Sequence, residues 1–351
     1  MISSKPISFK NHFVILDILK TFAVQLIIFH HISNYGEISR DAQALLPGIM
    51  YWISNYGNLA VQIFLVTGGY LAAKNLPISM LKVGFIKAIH NRYLRLIPTY
   101  VVALLLTMLC AMIARYYNFE EYIGLPETWQ QFLAHIFFLQ HIFGFESISV
   151  GVWYVAIDWQ LYVFLAFFIL IFKNFKTGIW FLGAVVLCSL LFFSKSFIFD
   201  NYFIYFLGAY GLGIISYLSN DAKDQLLKTH SKLILLIVFF AVLSETFFEL
   251  HIKNILEILI ALVISWGGSL SYDHLNPKWA QVNIWFSQRS YCAFLIHFCF
   301  ILLMNTLYTM TAPHLTLSPV LFILGIWVMS WIAAHYLYKY IEFPSRKIQL
   351  N

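Results

Sequence analysis

The sequence predicts an all-α protein, a polytopic bundle of about ten transmembrane helices with both termini in the cytoplasm. Three observations predict it. The chain of 351 residues is 61% hydrophobic and only 11% charged, with a mean hydropathy of +0.77, a balance that excludes an ordinary water-soluble domain. Apolar runs near the roughly 20 residues needed to cross a bilayer recur along it. With the N-terminus inside, only Arg40, Arg115, Lys195 and Lys253 of the 22 Lys and Arg fall on the outer side, and only Lys20 within a span; such asymmetry sets orientation. The whole chain, 1–351, reads as a single membrane domain.

The runs lie at 12–34, 56–74, 93–115, 152–172, 178–194, 200–219, 232–248, 252–270, 290–311 and 317–340, each bounded by charge or by Gly, Pro and Asn. Lys5 and Lys10 precede the first and hold it inside. The second contains "VTGGYL" (66–71), and the basic stretch "KVGFIKAIHNRYLRLIP" (82–98) leads into the third. Between the third and fourth runs, "WQQFLAHIFFLQHIF" (129–143) is apolar enough to compete as a span. Crossing there would move every later basic loop outside, so it is read as an interfacial or re-entrant helix on the outer face. Lys173 and Lys176 separate the fourth and fifth runs, Lys223 to Lys232 the sixth and seventh, and Lys278 and Arg289 precede the ninth. The tenth ends in the basic tail "IEFPSRK".

Composition also narrows the chemistry. The cysteines, Cys110, Cys188, Cys292 and Cys299, all fall in spans without a CxxC pair, which indicates neither a disulfide frame nor a metal site. The net charge of +6 is accounted for by the cytoplasmic loops and needs no nucleic-acid partner. The first run is too long and too polar at its end for a cleaved signal.

Ionisable groups inside a bilayer are expensive and normally serve a function. On a helix, Lys20 and His31 project within about 20° of each other and roughly 16 Å apart, Asp17 lies one turn before Lys20, and His30 points about 100° away. The stripe is either functional or an i, i+3 charge pair with interfacial histidines. Asp158 sits on the fourth span at a depth similar to that of His31. A carboxylate on one imidazole nitrogen raises the basicity of the other, so Asp158 is expected to orient His31 as a general base for a hydroxyl; the alternative is a structural contact between helices. Lys87, Arg92 and Arg95 form a cytoplasmic patch suited to phosphate, or are simply the topological signal. The glycines at 68 and 69 either allow close helix packing or make room for a thin ligand chain. His297 lies about two turns inside the ninth span. Glu245 and Glu257 lie near outer ends. His12 and Asp17 share an HxxxxD spacing, set aside because one such match in a chain with 12 His has little weight.

Together these segments resemble the integral-membrane acyltransferase family 3, which includes bacterial O-antigen and exopolysaccharide O-acetyltransferases. "LDILKTFAVQLIIFHH" resembles its first-helix pattern of a basic residue, ten residues and His; "IFLVTGGYL", "NRYLRLIPTY", "VWYVAIDWQLYVF", "SYCAFLIH" and "IEFPSRK" resemble later landmarks in order. Lys20 stands where the family commonly has Arg, Thr67 for Ser, Gly69 for an aromatic and Asp158 for Glu. The resemblance implies transfer of an acyl group, usually acetyl, from cytoplasmic acyl-CoA to a hydroxyl of a surface polysaccharide or its lipid-linked precursor, at the inner membrane of a bacterium. It assigns Lys20 and His31 and leaves His30 as a bystander; together with the residues read above, catalysis is expected of His31 and Asp158, donor and charge stabilisation of Asp17, Lys20 and His297, and acyl-CoA binding of Arg92, Arg95, Lys87, Thr67 and Gly68. Acetyl-CoA is then a co-substrate, with no bound cofactor or metal. Two other classes stand beside it: a polysaccharide or proton-coupled transporter, and a non-catalytic partner for polysaccharide export.

Overall fold

The computed structural model describes residues 12–117, 120–221, 223–247, 249–267, 270–311 and 318–347. Lys5 and Lys10, counted above in the topology, lie outside them. All regular structure in the described residues is helical, and nine stretches are long and apolar enough to cross a membrane. The protein is an all-α polytopic bundle.

The principal helices are α1 Val14–Asn34, α2 Gly36–Leu45, α3 Pro47–Tyr56, α4 Ala60–Val83, α5 Phe85–Tyr117, α6 Trp129–Ile136, α7 Val152–Phe172, α8 Phe175–Leu191, α9 Phe203–Asp221, α10 Gln225–Glu245, α11 Ile252–Gly267, α12 Pro277–Thr311 and α13 Ser318–Leu337. A π-helical turn, Tyr338–Glu342, follows α13. The eighth expected span, α11, has only 16 residues, short of the usual crossing length.

The largest departure from expectation precedes the third span. The third run is expected from 93, but α5 is helical from Phe85 and runs 33 residues through Pro98, so most of the basic stretch before it is helix. Gly84 alone joins it to α4, at φ +84°, a left-handed conformation that costs glycine no steric penalty. Lys87, Arg92 and Arg95 therefore ride on a helix.

The chain divides into two compact units, one comprising Met1–Ala23, Gln62–Ile89 and Gln160–Gln288, the other Val24–Val61, His90–Trp159 and Arg289–Asn351. In the first, α9 packs against α8, α10 and α11. It also meets α4 almost backbone to backbone. A Cβ on Gly69 would lie 1.9 Å from the Tyr210 carbonyl oxygen, and one on Gly213 would lie 1.9 Å from that of Val66. Where lipid removes the hydrophobic drive between helices, small residues allow this contact. Val14, Tyr272, Ala280 and Ile284 form a buried apolar cluster in the same unit.

In the second unit, polar side chains tie α1 and α2 to α12 and α13. Asn305 Oδ1 accepts the Ile38 N–H at 3.0 Å, and Tyr308 donates its hydroxyl to Asp41. Gln25 Oε1 accepts the indole N–H of Trp327 at 2.7 Å and of Trp331 at 3.3 Å.

Candidate active site

The second unit brings His31 to His297. His31, on the last turn of α1, is buried, and His297 is fully buried on α12. His31 Nδ1 lies 2.7 Å from His297 Nε2, and His297 Nδ1 lies 3.2 Å from the carbonyl oxygen of Ala293, one turn earlier. A carbonyl only accepts, so the His297 proton sits on Nδ1 and its Nε2 carries a lone pair. His31 then donates from Nδ1. Its Nε2 is left as the basic nitrogen.

This is not the arrangement expected from the sequence. Among the described residues no hydrogen bond joins Asp158 to His31. Asp158 instead accepts from Arg92 Nη2 at 2.7 Å in a largely buried ion pair. The reason is the early start of α5, which carries Arg92 to the side of α7, so Arg92 is not part of an open cytoplasmic patch. The roles expected from spacing thus change partners: His297 orients His31, while Asp158 holds Arg92.

The segment between α5 and α7 explains how Arg92 and Asp158 meet. Arg115, near the Tyr117 end of α5, pairs with Glu127 at 2.9 Å, and α6 starts just beyond in a capping box of Thr128 and Gln131. The chain then descends. Tyr93 lies about 36 Å along α5 from Tyr117, yet its hydroxyl donates to the Ile136 carbonyl at 3.0 Å. Its ring meets that of Phe138 edge-on, centroids 5.7 Å apart. Phe138, fully buried, reverses the chain at φ +58°, a strained value for a bulky residue, and also contacts Tyr100 and Trp159. The 129–143 segment therefore folds back along α5, a re-entrant course relative to that helix. It delivers α7, with Asp158 six residues inside its start, to the level of Arg92.

His135 locks this segment. Its Nδ1 donates to the Gln131 carbonyl at 2.8 Å and its Nε2 accepts the Ile148 N–H at 3.1 Å. Burial, reinforced by the charge of His141, lowers its pKa to about 4 even though the Gln131 bond raises it. Two further groups point to a site. The Trp159 indole N–H is buried without a hydrogen-bond partner among the described residues, an arrangement native structures rarely leave unused. Tyr35 stands 6.1 Å from His31, ring to ring, and packs edge-on against Phe298 at 5.5 Å and near Tyr122 at 6.0 Å.

The first unit holds a separate polar cluster around Asp17. Lys20 Nζ lies 3.1 Å from Asp17 Oδ1 and His12 Nδ1 lies 3.0 Å from Oδ2. Ser287 and Tyr272 donate hydroxyls to the same carboxylate, and Asn283 Nδ2 donates to the Tyr272 oxygen at 2.7 Å. Asp17 is thus the centre of a hydrogen-bonded cage as well as the i, i+3 partner of Lys20. The HxxxxD spacing of His12 and Asp17 thus corresponds to a real contact. Ser287 and Tyr272 carried no local signal.

The remaining candidates disperse. Thr67 donates its hydroxyl back to the Ile63 carbonyl of its own helix at 2.8 Å and is buried, so its donor is spent on backbone. Of the adjoining glycines, Gly69 serves the contact with α9 described above, and Gly68 precedes it on α4. Arg95 and Lys87 are exposed on α5, and the Arg95 carbonyl accepts from Ser345 at 3.3 Å. His30 is not idle: its Nδ1 bonds to the Ile53 carbonyl at 3.2 Å, tying α1 to α3.

A family model for acyltransferase family 3, described as an acyltransferase domain, matches residues 13–336. The chain belongs to this acyltransferase family. It matches no curated protein and no solved structure. The matched span includes every candidate above except His12. In this membrane acyltransferase, family membership replaces the transporter and assembly-partner readings, and the His31–His297 pair is the arrangement best suited to take a proton from a hydroxyl.

Proposed function

We propose that this membrane acyltransferase moves an acyl group, acetyl by the family resemblance, from cytoplasmic acyl-CoA to a hydroxyl of a cell-surface glycan such as lipopolysaccharide O-antigen or its lipid-linked precursor, in the inner membrane of a bacterium. The observation that carries the reading is the hydrogen-bonded chain from the Ala293 carbonyl through His297 to His31, which leaves His31 Nε2 basic. His31 accepts the acceptor's hydroxyl proton as the oxygen attacks the thioester carbonyl. The tetrahedral intermediate collapses with cleavage of the C–S bond, and the departing CoA sulfur takes the proton from His31. Negative charge on the carbonyl oxygen needs donors. Arg92, positioned by Asp158, and the unpaired indole N–H of Trp159 are the groups we assign to it. The aromatic rings of Tyr35, Tyr122 and Phe298 beside His31 suit a sugar face.

The test uses the purified protein in nanodiscs with radiolabelled acetyl-CoA and a surface polysaccharide. Label should enter the glycan with wild type and His30→Ala, disappear with His31→Ala, and fall by about 10²-fold or more with His297→Ala. Transfer by His31→Ala at the wild-type rate would overturn the assignment.

A further inference from the structure

A groove in the first unit belongs to none of the chemistry above. It encloses about 580 Å³ between the ends of α9 and α11 and the first half of α10. One face of α10 supplies most of it. Lys228 and Lys232, one turn apart, are followed by Leu235, Leu236 and Phe239, so two ammonium groups give way to an apolar stripe about 6 Å long. Neither ammonium group makes an ion pair or hydrogen bond among the described residues; the nearby Asp224 caps α10 and pairs with Lys176 instead. Asn220 Nδ2, at the lysine end, is buried without a hydrogen-bond partner. Ser219 and Ser265 share a hydrogen bond of 2.6 Å beside it. At the mouth, the Trp266 side chain is 93% exposed, as suits a ring at the boundary between headgroups and acyl chains.

We infer that this groove binds one anionic phospholipid of the cytoplasmic leaflet, with its phosphate on Lys228, Lys232 and Asn220 and an acyl chain along Leu235, Leu236 and Phe239. Charge complementarity selects the headgroup: two cations and an amide donor, unpaired among the described residues, face an oxyanion, and a zwitterionic lipid brings its own cation to the same place. The apolar continuation selects a lipid over free phosphate, which would leave the stripe exposed. The excess of basic residues on this side of the bundle places the lysines in the cytoplasmic leaflet, whose surface is negative and attracts cations.

Native mass spectrometry of the full chain, taken from detergent containing phosphatidylglycerol or phosphatidylcholine, tests this. Wild type should retain phosphatidylglycerol in preference. The variant Lys228→Gln with Lys232→Gln should lose that retention by about tenfold or more, Lys228→Arg with Lys232→Arg should keep it, and Lys278→Gln, outside the groove, should not change it. Equal retention of the two lipids by wild type, or undiminished phosphatidylglycerol on the double glutamine variant, overturns the proposal. So does stoichiometric displacement of the lipid by inorganic phosphate or by free CoA, which would make the groove a soluble-anion or nucleotide site.

Discussion

Arg92 and Asp158 show how one salt bridge reorganises a site. Both charges are mostly withdrawn from water, so truncating either removes a countercharge 2.7 Å from the other. Arg92→Ala or Asp158→Ala should each destabilise the protein by about 3 kcal/mol, the lower end of the range for a broken buried pair, because Arg92 keeps a quarter of its side chain exposed. The double variant should be more stable than the two losses summed, since it leaves no orphaned charge. Thermal unfolding in one detergent checks this. The same pair accounts for what spacing could not find. A match of Asp158 with His31 by depth depends on where each helix begins, and the folded-back segment brings the start of α7 along α5 toward Arg92.

Among elements, the α4–α9 crossing and the re-entrant segment each depend on a specific local device. Gly69→Ala puts a methyl group onto the Tyr210 carbonyl, and because the obstacle is backbone the two helices must separate. The variant is expected to yield little monodisperse protein by size-exclusion chromatography. Gly48→Ala, where no atom lies within 4 Å of the added carbon, should behave as wild type. In the re-entrant segment, His135 is held neutral, with a pKa of about 4 against an ordinary 6.5. The folded state therefore binds fewer protons than the unfolded one between those values. The stabilisation is complete above pH 6.5 and is lost as pH falls toward 4, about 2 kcal/mol between pH 7.5 and 5. Limited proteolysis of the 129–151 segment should accelerate over that interval in wild type, and His135→Gln should flatten the dependence.

For the whole molecule, orientation is the property most directly carried by charge. Reporter fusions after Asn34 and after Glu146 should report the outside, and fusions after Lys173 and Lys278 the cytoplasm. A cytoplasmic reporter at Glu146 would mean that the 129–143 segment crosses the membrane. Much of the architecture was legible because transmembrane helices are local objects. Their apolar runs and flanking lysines are written consecutively, and α7 coincides with its expected limits, 152–172. The short α11 and the long α5 were harder to place, since hydropathy marks where a helix is buried and not where it stops being helical.

The amino-acid sequence by itself determined an all-helical membrane protein whose motifs follow the order of the acyltransferase family, and it placed His31 and His297 among the costly imidazoles inside spans. Those facts follow from composition, from the order of short motifs and from the free energy of polar groups in hydrocarbon. Only the tertiary structure decided who pairs with whom. His31 finds His297, Asp158 finds Arg92, and Asp17 gathers His12, Tyr272 and Ser287, because a hydrogen bond needs atoms within about 3 Å. That separation is set by the lengths and starting points of helices distant in sequence, and no single segment contains it.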